Sequence, residues 1–158
     1  MDRPETKLLT AGRILFVFVA VAVFVLDRVT KNLVSASLAY GERATVIPNV
    51  VDIVNVRNSG AAFGMAPAGA TLFLIASVVV AIGLVVYVVR NPGSFWTEGV
   101  LGLILGGTLG NGFDRVFHGT VTDFIDFHFW PVFNVADSAI STGVVLLIAF
   151  YFLRRPTS

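Results

Sequence analysis

The chain has no cysteine, and only 13% of its residues are Asp, Glu, Lys or Arg. The missing cysteine excludes a disulfide framework, a thiol nucleophile and a thiolate metal site. The shortage of charge excludes more. Ordinary soluble domains carry about 25% charged residues, and a water-soluble globule of 158 residues needs a polar surface that this chain does not have. A net charge of +1 gives no basic field for nucleic acid and no pull toward an acidic partner. A soluble enzyme, a disordered chain and a nucleic-acid binder are thereby set aside. What is present instead is apolar residue, 56% of the total, with a mean hydropathy of +0.84. In a single domain of 16.9 kDa this describes a polytopic membrane protein.

Four apolar stretches stand out, at residues 14–26, 71–89, 99–113 and 132–153. A spanning helix needs about 20 residues, because the hydrocarbon core is about 30 Å thick and each residue rises about 1.5 Å. Only the second stretch meets that unaided. The first and third must borrow the polar residues that follow them, and the fourth holds one charge, Asp137. The predicted spans are therefore about 13–33, 70–89, 97–114 and 132–153, in one domain of residues 1–158 with an outer loop at about 39–69. A cleaved signal peptide is the alternative for the first stretch. Against it, Asp27, Arg28 and Lys31 separate the apolar run from the loose cleavage signature Ser37-Leu38-Ala39. With both termini inside, the inner segments carry six basic residues in roughly 26 positions and the outer ones five in roughly 61. That density difference favours cytoplasmic termini. Trp96 would then anchor the inner interface and Trp130 the outer one.

Measured upward from the inner charges at about 1.5 Å per residue, three helices bring polar groups to a similar height. Arg13 to Asp27 is about 21 Å, Glu98 to Asn111 about 20 Å and to Asp114 about 24 Å, and Arg154 back to Asp137 about 26 Å. Charges at that depth are costly and usually face the bundle interior, where they carry function. The bland alternative is that they are helix-end residues in the headgroup layer. Asp27 and Lys31 are four apart, acid first, and form a favourable helical ion pair, although Lys31 also has the length to snorkel outward. Asn134, Asp137 and Ser141 share one face near the start of the fourth helix, after Pro131, and Asn134 suits an N-cap. Gly102, Gly106 and Gly110 make a stripe of small residues that lets another helix approach closely.

The first outer loop holds two β-branched segments, residues 44–47 and 50–57, around the turn at Pro48-Asn49. They predict a pair of strands that must lean on the bilayer or the helices. Residues 61–65 are small and apolar and suit a segment lying along the membrane surface. In the second outer loop, residues 121–128 in extended form would turn Asp123 one way and Asp126 and His128 the other. Two His and two Asp suggest zinc, but their spacing fits no standard site, and His118 and His128 read better as wet interfacial residues. Asp114 reads most simply as a local partner of its neighbour Arg115. Ser138 and Ser141 have no general base of the usual kind nearby. Paired aspartates remain. Two carboxylates in a low-dielectric site share a proton, so that one activates water while the other polarises a carbonyl. Spacing alone does not choose the pair among Asp27, Asp114, Asp123 and Asp137.

Five blocks occur in a fixed order: Asp27-Arg28-Val29-Thr30-Lys31; Asn58-Ser59-Gly60-Ala61-Ala62-Phe63-Gly64; the run from Gly106 to Arg115; Val121-Thr122-Asp123-Phe124; and Phe133-Asn134-Val135-Ala136-Asp137-Ser138. On these the chain closely resembles the bacterial lipoprotein signal peptidase family, also called signal peptidase II, over about residues 13–153. The resemblance implies an all-α membrane protein of four transmembrane helices, with a small extracytoplasmic β element and a surface helix in the first outer loop. It implies an aspartic endopeptidase of the bacterial plasma membrane that removes the signal peptide from prolipoproteins, just before a diacylglyceryl-bearing cysteine. Its catalytic pair would be Asp123 and Asp137. Asn58, Asn111, Arg115 and Asn134 would line the site, and Asp27 and Lys31 would support it. No cofactor and no metal are implied; the partners are the lipidated substrate and membrane lipid, with no nucleic acid, and the chain would act as a monomer. Two other readings compete. A small proton- or cation-coupled transporter predicts polar residues along a full transmembrane path, whereas here they gather at one end. A membrane scaffold using the glycine stripe predicts no need for Asp137.

Overall fold

The computed structural model describes residues 4–60, 68–91 and 93–153, with side chains described from residue 11 onward apart from residue 68. The elements in chain order are α1 (Pro4–Ser37), β1 (Arg43–Ile47), β2 (Val51–Asn58), α2 (Ala68–Arg90), α3 (Phe95–His118), β3 (Val121–Asp126) and α4 (Val135–Leu153). The expected surface segment at residues 61–65 lies outside the described residues.

Each helix corresponds to a predicted span, but the bounds shift for local reasons. α1 is longer than expected at 34 residues, about 51 Å. Between Gly12 and Ser37 it meets neither proline nor glycine, so nothing stops it. α3 starts at the N-cap Ser94, whose side chain accepts from Thr97 N, and stops at Gly119, whose φ of 70° lets its N–H reach Arg115 O. α4 begins at Val135 rather than 132, because Phe133 is held to Ile125 in a β-bridge and Asn134 serves as the N-cap. Two helices are long and apolar enough to cross a bilayer among the described residues, Gly69–Arg90 and Val135–Leu153. The second qualifies despite Asp137, which corrects the expectation that only one stretch would do so unaided.

α3 is the hub, packing against α1, α2 and α4. The glycine stripe faces α1. A Cβ on Gly102 would lie 2.7 Å from Phe16 O, and one on Gly106 would lie 2.6 Å from Ala20 O. Gly107, one position round, abuts Ala136 O of α4. Backbones this close leave no room for a methyl group, so the helix meant to carry Asn111 is drawn against α1 and α4 together.

The β element has three strands, not two. The order is β1-β2-β3, antiparallel throughout, with bulges between Thr45 and Ile47 and between Ile53 and Val56. The predicted hairpin gains its third strand from the segment between α3 and α4, which supplies the hydrogen-bonding edge and the buried face that two strands lack. β2 ends at Asn58 opposite Val121, and Val56 lies opposite Asp123. The sheet thereby ties the segment between α1 and α2 directly to the one carrying Asp123.

Candidate active site

The charged groups at the end of the bundle are arranged around Lys31. Its side chain is buried, 2% exposed, and its ammonium reaches three acceptors: Asp27 Oδ2 at 2.8 Å, Asp114 Oδ2 at 3.0 Å and Asn111 Oδ1 at 2.9 Å. An ammonium has three protons, and each has an acceptor. The Asp27–Lys31 pair expected from spacing is present, and Lys31 turns inward rather than snorkelling. Asp27 Oδ1 also accepts from Ala136 N, so a carboxylate of α1 holds the first turn of α4, where the helix dipole favours it. Asp114 does not pair with its neighbour Arg115. It takes Arg28 Nη1 at 2.6 Å and Lys31 from α1, and accepts from Thr122 N at the start of β3. Proximity in sequence misled here, because residues i and i+1 on a helix point about 100° apart.

Above this network lie three asparagines. Asn111 Oδ1 accepts from Lys31 and from Asn134 Nδ2, which leaves its Nδ2 to donate to Asp137 Oδ1 at 2.7 Å. Asn134 caps α4 by accepting from Asp137 N at 3.0 Å, while Asp137 Oδ2 accepts from Asn134 N at 3.2 Å. This is a reciprocal capping box, and it fixes the Asp137 carboxylate. The other end of the Asn134 amide donates to Asp123 Oδ1 at 2.6 Å. One side chain therefore both caps α4 and bonds the Asp123 carboxyl. Asn58 Nδ2 donates to Asp123 Oδ2 at 2.9 Å, and its Oδ1 accepts from Gly60 N, a turn that uses the positive φ of Gly60, 81°.

Asp123 and Asp137 thus share one amide frame. Asp123 is 2% exposed, and burial pushes its carboxyl up to about 6. The Asn58 and Asn134 amides oppose that rise, and the charge of Asp137 adds to it. Arg115 donates to Asn111 O at 3.3 Å and lies 5.3 Å over the Phe73 ring of α2, with the charges of Asp137 and Asp123 both acting on it. Each of the eight side chains singled out from the sequence (Asp27, Lys31, Asn58, Asn111, Arg115, Asp123, Asn134 and Asp137) stands in this one connected region.

Other expectations need correction. Asp126 does turn away from Asp123, but into a second buried cluster rather than toward water. It is 6% exposed and lies 2.8 Å from Arg43, which also binds Asp52; His128 Nε2 is 2.9 Å from Asp52. Arg43 and His128 hold the Asp52 carboxyl down at about 2. Ser138 donates to Asn134 O, and Ser141 is exposed. Sequence reasoning missed Arg28, although it is three residues from Lys31 and shares its helix face. It also missed Thr122, whose O and N meet Asn134 and Asp114, and no spacing signal marked that residue. Among the described residues no three His, Asp or Glu side chains gather as metal ligands do.

The signal peptidase (SPase) II family profile matches residues 19–153. The lipoprotein signal peptidase of Geobacillus kaustophilus is 44% identical over 147 residues, covering 89% of this chain and 96% of its own. That of Staphylococcus carnosus is 41% identical over 145 residues, covering 87% and 91%. A bacterial membrane enzyme solved by the in meso method at 1.9 Å superposes with a TM-score of 0.80 at 34% identity, over 90% of this chain and 94% of its own. A second such structure, at 2.3 Å, gives 0.79 at 31%, over 90% and 93%. With more than four-fifths of its length matched by sequence and nine-tenths by fold, the chain belongs to the signal peptidase II family.

Proposed function

We propose that this chain is an aspartic endopeptidase of the bacterial plasma membrane that removes the signal peptide from prolipoproteins, cleaving before the diacylglyceryl cysteine. The observation that carries the mechanism is the amide frame, in which Asn134 bonds both Asp123 Oδ1 and the backbone of Asp137 while Asn58 and Asn111 hold the remaining oxygens. Family membership supports the substrate class, and nothing supports the transporter alternative.

In this reading Asp123, pushed up to about 6, carries the shared proton. Asp137, fixed by Asn111 and its capping box, is the anion. Water lies between them. Asp137 removes a proton as the water oxygen attacks the scissile carbonyl, and Asp123 gives its proton to the carbonyl oxygen, forming a gem-diol. The proton now on Asp137 passes to the leaving amine, the C–N bond breaks, and the gem-diol returns its proton to Asp123. The free signal peptide carboxyl and the new amino-terminal cysteine are the products. Arg115 offsets the negative charge of the pair.

The four helices are read as four spans with both termini cytoplasmic and the dyad near the outer face, where the scissile bond of a membrane-anchored substrate lies. The chain acts alone, with no metal or cofactor. The test is incubation of the purified protein with a diacylated prolipoprotein and a mobility shift on a gel. Loss of the shift in Asp123→Asn and Asp137→Asn supports the reading. Cleavage retained in both would end it.

A further inference from the structure

α1 and α2 stand apart on one side of α3. Near the end marked by Arg13 they are joined, Arg13 Nη2 donating to Val89 O at 3.1 Å. From there a groove of about 780 Å³ runs along the bundle, walled by Phe16, Ala20 and Phe24 of α1, Ala81 and Val85 of α2, and floored by Leu105 of α3. It is apart from the dyad, which uses the α3 face of Gly107 and Asn111 that turns to α4.

Three features say what fills it. The walls are apolar, with Arg13 as the charged residue among them. Arg13 is exposed and sits at the mouth, its guanidinium bound to Val89 O, so one cationic group marks that end of the groove. The lining runs 11 residues along α1, from Arg13 to Phe24, and 15 along α2, from Val89 back to Leu74, about 16–22 Å, so it holds an acyl chain that enters from one leaflet of a hydrocarbon core about 30 Å thick. A cation at the headgroup level above an apolar slot of that depth is complementary to a phospholipid.

We infer that this groove binds one phospholipid of the cytoplasmic leaflet, its phosphate on Arg13 and one acyl chain along the slot between α1 and α2. The choice of leaflet rests on the proposed orientation of the chain. The lipid has a mechanical consequence. α2 packs chiefly on α3, so a chain wedged behind it sets its position, and Phe73 of α2 lies under Arg115 at the site.

The experiment is native mass spectrometry of the full-length protein in mild detergent, titrated with dioleoyl phosphatidylglycerol or dioleoylglycerol. One phosphatidylglycerol should be retained. Arg13→Gln should weaken retention roughly fivefold, as one basic contact to a lipid phosphate does. Ala81→Phe, which fills the slot, should weaken it by at least as much and carries the test if Arg13→Gln does not fold. Arg57→Gln, which removes an exposed basic charge on β2, should leave it unchanged. Retention equal to that of the parent in Arg13→Gln and Ala81→Phe, or a loss in Arg57→Gln equal to that in Arg13→Gln, overturns the site. Dioleoylglycerol retained as tightly as phosphatidylglycerol also overturns it, because the phosphate would then play no part. Lipid retention is read without substrate, so its failure leaves the peptidase reading standing, and the gel assay on the same preparation tests that reading separately.

Discussion

Lys31 and Asn111 lie 80 residues apart and meet at 2.9 Å, ammonium to amide oxygen. That contact decides which end of the Asn111 amide faces Asp137. With Oδ1 occupied by Lys31 and Asn134, only the NH2 remains for the carboxylate. Asn111→Asp keeps an acceptor for Lys31 but replaces the donor to Asp137 with an oxygen. We expect kcat to fall about 100-fold or more with KM little changed, and thermal stability to fall as well, because Lys31 is already paired with Asp27 and Asp114 and the new buried carboxylate faces Asp137. Single-turnover and steady-state cleavage of a diacylated prolipoprotein would show it; an unchanged kcat would refute the role given to this amide.

The raised carboxyl of Asp123 sets the alkaline side of the rate profile. On the proposed mechanism activity requires its proton, so kcat/KM should fall as pH rises through about 6 and beyond. The acid limb belongs to loss of the anionic partner, and both apparent values belong to the pair. Asn58 donates to the charged form of Asp123. Asn58→Leu removes that support, raises the carboxyl further and should move the alkaline limb to higher pH. A strong chelator should leave the whole profile in place, and restoration of a chelator-killed enzyme by zinc would contradict the aspartic mechanism.

The same group links pH to stability. A carboxyl raised on folding favours the native state below its ordinary value of 3.8, and this contribution is lost as pH climbs through about 6. Asp123→Asn has no charge to bury. Its stability relative to the parent should therefore rise by up to about 2–3 kcal/mol between pH 4 and pH 7.5. Melting curves of both proteins in the same detergent at the two pH values measure the difference; a constant offset would argue against a buried, raised carboxyl.

Asp126 tests the division between the two clusters. Asp126→Asn should lower the melting temperature modestly by weakening the bond to Arg43, and should keep kcat within about threefold. Asp123→Asn and Asp137→Asn should lose about 100-fold or more. Loss of catalysis in Asp126→Asn alone would reverse the assignment.

Two glycine substitutions should act with opposite sign. Gly106→Ala drives a methyl group to 2.6 Å from Ala20 O and 2.7 Å from Val23 Cβ, at a cost of about 1–3 kcal/mol. Gly83→Ala, on the open face of α2, meets nothing within 4 Å and should stabilise by about 0.5–1 kcal/mol. Thermal melts of the pair check the claim that the stripe exists for the α1–α3 approach.

Much was legible in the chain itself. Charge content and apolar runs determine a membrane protein with four helices, because the bilayer and the backbone impose lengths that hydropathy displays directly. The clustering of Asp27, Asn111 and Asp137 at one end of the bundle followed from rise per residue, and the Asp27–Lys31 pair from helical periodicity. These are local properties, set by residues within a few turns of one another. The lysine and arginine partners of Asp114 were not local. Adjacent Arg115 was the natural guess, and the answer lies on α1, because close approach through Gly102 and Gly106 brings Arg28 and Lys31 within reach. The third strand was equally hidden: β3 pairs with β2 across more than sixty residues, and only that pairing sets Asp123 beside Asn58. The choice of Asp123 and Asp137 as a pair lies beyond periodicity for the same reason. Their common frame is Asn134, whose cap geometry and long-range amide contact exist only once α3, β3 and α4 are packed together.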